Sequence, residues 1–135
     1  MDREQLAGLE CPVEAAMGVL GGKYKVLICF QLVGRTLRYS ELARRVPKAS
    51  PKMLSQQLKE LEADGVVHRE MYPQVPPRTE YSLTELGEAL APTILAMWRW
   101  GAGLFDCEGL PRPCSEASIA RVAEVAERVQ AVDQA

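Results

Sequence analysis

The stretch SPKMLSQQLKELEADGVV, Ser50 to Val67, opens and closes as a helix does. Ser50 stands where an N-cap belongs, Pro51 takes the first helical position, where a missing N–H costs nothing, and Gly65 ends the run. Its charges run against the helix dipole: Lys52 lies in the first turn, whereas Glu60, Glu62 and Asp64 crowd the last. At about 100° per residue, Leu54, Leu58 and Leu61 share a narrow arc that faces a core. Lys52, Ser55, Gln56 and Lys59 share the opposite arc, which holds hydrogen-bond donors and no carboxylate. Such a face, beside the free N–H groups of a helix start, suits an anion such as phosphate. A solvated helix with randomly placed charges is the plainer alternative, and only the surrounding sequence decides between them.

The surroundings favour the anion. From Lys23 to Glu80 the chain holds eleven Lys or Arg against six Asp or Glu, a balance of +5, while the flanking segments carry −7, giving the net charge of −2. A basic centre between acidic ends is the distribution expected of a nucleic-acid binder whose overall charge conceals it. The 135 residues, 47% of them apolar, suit one domain over 1–135. The start MDREQLAGLE is acidic and polar, so the expectation is a cytoplasmic chain without a targeting segment. The apolar run Ala89 to Phe105 contains Pro92 and Arg99 and is shorter than the roughly 20 residues of a membrane span, so it reads as a buried helix.

Along the chain, residues 1–10 read as a tail. CPVEAAMGVLGG gives a first helix with Cys11 at the cap, and KYKVLICFQLVG a buried second. RTLRYSELARRVP holds a short extended piece at Leu37 to Tyr39, then Ser40 as the cap of a short helix. After the Ser50 helix, VVHREMY and RTEYSL form a hairpin around PQVPP, whose prolines forbid regular pairing at the tip. Thr84 caps a long apolar helix to Phe105, with a bend expected at Pro92; residues 106–114 form a loop and 115–135 an amphipathic last helix. This order predicts a mainly α fold with a small β-hairpin: a winged helix-turn-helix over 11–105, flanked by N- and C-terminal dimerisation helices. The Ser50 helix is then the recognition helix. Its reversed charges follow, since its start meets DNA and its acids lie at the far end.

The motifs CPVE (Cys11–Glu14), GGKYKVLI (Gly21–Ile28), RYSEL (Arg38–Leu42), SPKMLSQQLKELEADGVVHR (Ser50–Arg69) and YPQVPPRTEYSLTELG (Tyr72–Gly87) together resemble the HxlR family of winged-helix regulators, relatives of the MarR group. The resemblance implies a dimeric transcription factor, repressor or activator, on double-stranded DNA, and a cysteine such as Cys11 that responds to oxidants or electrophiles. Carried over residue by residue, it makes Ser50, Lys52, Met53, Ser55, Gln56 and Lys59 the DNA-facing side of the recognition helix. Gln56 and Gln57 have the groups for adenine, with Gln56 better oriented, and Lys52 and Lys59 suit guanine or phosphate. Arg78 either enters a minor groove from the wing or pairs with Glu80. Lys23, Arg38 and Tyr39 stand at element starts, where phosphate contacts are common.

Two readings of Cys11 stay open from the residues alone. The positive end of a helix favours a thiolate there, while Glu10 and Glu14 oppose it and a cysteine also serves as an inert cap. Cys29 in VLICF reads as core; Cys107 and Cys114 lie in a Gly/Pro-rich region suited to exposure. The absence of any CxxC and the single histidine, His68, point away from a metal, and no cofactor motif or catalytic constellation appears. Leu86, Leu90, Ile94 and Met97 form one stripe of the long helix, offset from Leu95, Trp98 and Phe105, so one face packs inward and another needs a partner. A homodimer reading a pseudo-palindromic operator follows. Trp98 and Trp100 belong either to that interface or to a small-molecule pocket. The rivals are a ligand-responsive regulator with an inert Cys11 and a winged-helix protein-interaction module.

Overall fold

Asp2, Ser50 and Thr84 each cap the start of a helix in the computed structural model, and the structure describes residues 1–134. A short helix, α1 (Arg3–Ala7), lies within the segment read as a tail, held by Asp2 and Gln5, which exchange side-chain-to-backbone hydrogen bonds of 2.8 and 2.9 Å. It is followed by α2 (Pro12–Leu20), α3 (Lys25–Leu32), the two-residue strand β1 (Leu37–Arg38) and α4 (Tyr39–Arg45). Next come α5 (Pro51–Ala63), β2 (Val67–Tyr72) and β3 (Arg78–Leu83). The chain ends with α6 (Glu85–Glu88), α7 (Ala91–Cys107) and α8 (Glu116–Gln134); residue 135 of the expected last helix lies outside the described residues.

The three strands form one antiparallel sheet in the order β1-β3-β2, with Leu37 opposite Tyr81, Val67 opposite Leu83 and Tyr72 opposite Arg78. The wing loop, residues 73–77, projects beyond the last pair. This is a winged helix-turn-helix: α4 and α5 are joined by a tight turn, and the β2–β3 hairpin stands beside α5. Ile28 and Leu32 of α3, Leu42 of α4, and Leu54, Leu58 and Leu61 of α5 meet Val66 and Val67 in one closed core. Burying each such side chain contributes roughly 1.5–3 kcal/mol, which fixes the angle between α5 and α3.

Three expected boundaries are corrected, one of them the loop expected over 106–114, whose first two residues belong to α7. Ser40 does not cap α4: the helix already begins at Tyr39, Ser40 lies inside its first turn, and the Glu41 carboxylate accepts the Arg38 N–H at 3.1 Å. The long helix from Thr84 is in fact two. Pro92 has no N–H and its ring would strike the carbonyl of Glu88, so α6 stops there and α7 restarts with the proline in its first turn. No bend is needed, and Leu86 and Met97 are exposed, unlike Leu90 and Ile94 of the stripe assigned to them. Thr84 does cap, but for α6, where its hydroxyl accepts the Gly87 N–H at 3.1 Å. Gly87 is required by close approach: a Cβ there would sit 2.2 Å from the Val66 carbonyl oxygen.

Helix α8 lies along α7 and buries Val122, Val125 and Ala126. Its Arg121 reaches the C-terminal end of α3, donating to the Phe30 carbonyl at 3.1 Å and to that of Val33. Those carbonyls have no partner within their own helix, so a cation there is well placed. Burial, with Arg35 and Arg45 nearby, pulls the Arg121 guanidinium down to about 10.

Candidate nucleic-acid interface

The local chemistry of α5 places its outer face. Ser50 Oγ accepts the Met53 N–H at 3.1 Å, and Pro51 starts the helix. Lys52, Met53, Gln56 and Lys59 are exposed and Ser55 is half-buried, while Leu54, Leu58 and Leu61 form the opposite, buried side. Gln57 belongs to that buried side. Its Oε1 accepts the Tyr24 N–H at 2.8 Å, so it is unable to face a ligand and Gln56 alone projects outward.

Tyr39 ties α4 to the start of α5, its hydroxyl standing 3.2 Å from Ser55 Oγ and 3.3 Å from the Pro51 carbonyl oxygen. Arg38 is exposed beside it, and Lys23 is exposed just before α3, its ammonium 5.4 Å from the Tyr24 ring centre. Arg78 is engaged at the base of the wing. Its Nε lies 3.1 Å from Glu80 Oε1, an ion-pair contact without hydrogen-bond alignment, and its guanidinium sits 4.6 Å from the Tyr72 ring centre.

Between α5, the start of α4 and the wing runs a cleft of about 680 Å³ whose cations are Arg38, Lys59, Arg69 and Arg78. It brings together Ser55, Lys59, Arg38, Tyr39 and Arg78; Ser50, Lys52, Met53, Gln56, Lys23 and Cys11 are not part of its lining. Sequence reasoning missed Arg69, although strand alternation puts it on one face with Val67 and Met71. Two acids depart from the expected segregation. Asp64 pairs with the Met1 amine, but Glu62 lines the cleft with Lys59 and Arg69, and Glu60, paired with Lys25, also accepts from Gln56 on the outer face.

All four cysteines are free thiols. Cys11 is the N-cap residue of α2, exposed and extended (φ −145°, ψ 136°), and its side chain makes no capping hydrogen bond. Cys107 is exposed at the end of α7 and Cys114 half-buried before α8. Cys29 is fully buried, and burial pushes its thiol from 9.0 up to about 12. The folded protein therefore keeps a proton that the unfolded chain has released, so this group lowers stability as pH rises from about 9 to about 12. Cys29 is expected to resist a thiol-specific chromogenic reagent at pH 8 until urea unfolds the chain. The urea midpoint should also fall more steeply between pH 9 and 11 in the wild type than in Cys29→Ala; parallel curves would refute this.

The two tryptophans part ways. Trp98 packs on the core beneath Arg112, whose guanidinium is 5.5 Å from its ring centre, and borders a small cleft with Phe105 and Cys114. Trp100 points outward, 74% exposed, in a row with Met97 and Leu104. On α2, Val13 and Met17 are likewise exposed, one helical turn apart. Among the described residues no helix is long and apolar enough to cross a membrane.

Residues 19–108 match the family described as HxlR-like helix-turn-helix. The chain is 50% identical over 91 residues to the uncharacterized HTH-type transcriptional regulator YdeP of Bacillus subtilis (strain 168), covering 67% of this chain and 71% of that protein. Among solved structures it is similar to the redox regulator HypR in its oxidized form, at 48% identity and a TM-score of 0.66 over 69% of this chain and 96% of that one. It is also similar to the diamide-treated YodB from B. subtilis, at 35% identity and a TM-score of 0.58 over 70% of this chain and 95% of that one.

Proposed function

Because the chain belongs to the HxlR-like helix-turn-helix family and is a transcriptional regulator of that type, we propose that it acts as a homodimer on a pseudo-palindromic duplex and that oxidants or electrophiles release or engage it through Cys11. One observation carries the DNA reading: the exposed side of α5 presents Lys52, Gln56 and Lys59, and Ser55 and Lys59 line a cleft that the wing closes with Arg69 and Arg78. Helix α5 enters the major groove start first, with Ser50, Met53 and Ser55 against the backbone or base edges, and Arg38, Tyr39 and Lys23 hold flanking phosphates. Arg78 exchanges its contact with Glu80 for the minor groove or the phosphate beside it.

The thiol part rests on different support. Cys11 is solvent-exposed at the start of a helix and free of a capping role, and two solved relatives are a redox regulator and a diamide-treated protein. Buried Cys29 is unsuited to such a role. The test begins with duplexes selected by the reduced wild-type protein from a randomised library, followed by fluorescence anisotropy against a scrambled duplex at several salt concentrations. Preference for the selected duplex and a steep loss of affinity with salt are expected, the slope reporting about 0.9 per phosphate neutralised. Diamide should shift that affinity in the wild type and not in Cys11→Ser. Equal, weak binding to both duplexes would sink the DNA reading, and an undiminished diamide response in Cys11→Ser would move sensing to another thiol.

A further inference from the structure

The inner side of α5 is gripped by the start of α3, and the grip reaches residues on the outer side. Lys25 is only 6% exposed, unusual for a lysine, and its ammonium lies 2.6 Å from Glu60 Oε2. The other oxygen of Glu60 accepts from Gln56 Nε2 at 3.4 Å. One carboxylate thus joins a buried cation in α3 to the outward-facing amide of α5. A parallel link runs through the next residue: Gln57 Oε1 accepts the Tyr24 N–H at 2.8 Å, and Gln57 Nε2 stands 3.1 Å from the sulfur of Met53. Tyr24 also donates its hydroxyl to the Lys48 carbonyl at 3.0 Å, in the turn that leads into α5.

The sequence makes room for this arrangement. The Lys25 stem lies against Gly22, where a Cβ would come within 2.9 Å of Lys25 Cγ, Cδ and Cε. Any larger residue at 22 would push the stem out of its slot. The Lys25 ammonium, by hydrogen bond and then by charge, holds the Glu60 carboxyl below the ordinary carboxylate range, so Glu60 stays ionised at neutral pH.

From this geometry we infer that Lys25 and Glu60 are positioning residues for DNA recognition: Lys25 fixes the Glu60 carboxylate, which holds the Gln56 amide nitrogen and turns its Oε1 outward as an acceptor. An acceptor there selects the exocyclic amine of adenine or cytosine at one position of the major groove. The inference rests on the proposed reading face and adds to it a rule for what that face reads. Gly22 and Tyr24 serve the same end, the first by admitting the lysine stem and the second by fixing Gln57.

The test uses Lys25→Met, which keeps the stem and removes the charge, Glu60→Gln, and the double variant. Against the duplex selected by the wild-type protein, each single variant should lose affinity about tenfold or more, the size expected of one misplaced base contact. Binding to the scrambled duplex and its salt slope should hold, because no phosphate contact has been removed. The double variant should lose no more than either single, since both act through one carboxylate. A reselected library should show relaxed preference at a single base position. A merely structural role would weaken both duplexes together and leave the preferred base unchanged, and that outcome would overturn the proposal. Glu60 is half-exposed, so Glu60→Gln keeps the test available if Lys25→Met fails to fold. Amide NMR of the free protein separates the two claims: unshifted Gln56 side-chain signals in both variants would refute the clamp, whereas a wild type that selects no duplex would refute the reading face.

Discussion

Lys52→Ala combined with Gln56→Ala is expected to lower affinity for the selected duplex about a hundredfold. Both side chains are exposed on the outer face of α5, Lys52 in its first turn and Gln56 one turn further on. Lys52 adds a mobile cation to the positive end of the helix, so its loss should make the salt slope shallower by about 1 and weaken all duplexes alike. Gln56 has the hydrogen-bonding groups to read a base edge, worth roughly 1–3 kcal/mol against a wrong base, and its loss should fall on the selected duplex alone. Together these come to about 3 kcal/mol, or about two powers of ten. The fold should be untouched, because alanine is at least as good a helix former as lysine or glutamine and both sites are solvated. Anisotropy at two salt concentrations, beside a thermal melt, checks each part. An unchanged affinity with an unchanged melt would show that another face of the molecule meets DNA.

What the sequence made legible about this face follows from how local each cue is. Ser50, Pro51 and the leucine spacing act within a few residues, and α5 lies where they place it, from Pro51 to Ala63. The distinction between Gln56 and Gln57 is also a matter of helical phase, and Gln57 falls on the leucine side. What phase does not reveal is the Tyr24 N–H that makes its burial tolerable, because that donor comes from another helix. Lys25 is the sharper case. A lysine in GGKYKVLI reads as surface, and only the tertiary approach of Glu60, with the space left by Gly22, turns it into a buried cation. The split between α6 and α7 was readable in principle, since Pro92 forbids the carbonyl of Glu88 from sitting in a continuous helix. The docking of Arg121 on the end of α3 was not, because the two partners are separated by most of the chain and lie in part beyond the matched residues 19–108.

Met97→Glu with Trp100→Glu should convert the protein to monomers. Helix α7 is covered on one side by its own core and by α8, through Ile94, Ala102, Val122 and Ala126. The other side carries Met97, Trp100 and Leu104, 50%, 74% and 53% exposed, and α2 adds Val13 and Met17. Large apolar side chains repeated along a helix face mark an association surface. In a two-fold interface each side chain is buried in both copies, so a substitution counts twice. Forfeiting about 2 kcal/mol of apolar burial in each copy gives about 4 kcal/mol, a dissociation constant raised about a thousandfold before any penalty for the new carboxylates. Sedimentation velocity at micromolar concentration reads this directly, and a retained dimer would place the association surface elsewhere. DNA binding supplies the independent arm. Since the substituted side chains are outward-facing in the protomer, each monomer should still occupy a single half-site. Affinity for the full pseudo-palindrome should fall to that of one half-site, and the salt slope to about half its wild-type value, because one protomer neutralises only its own set of phosphates.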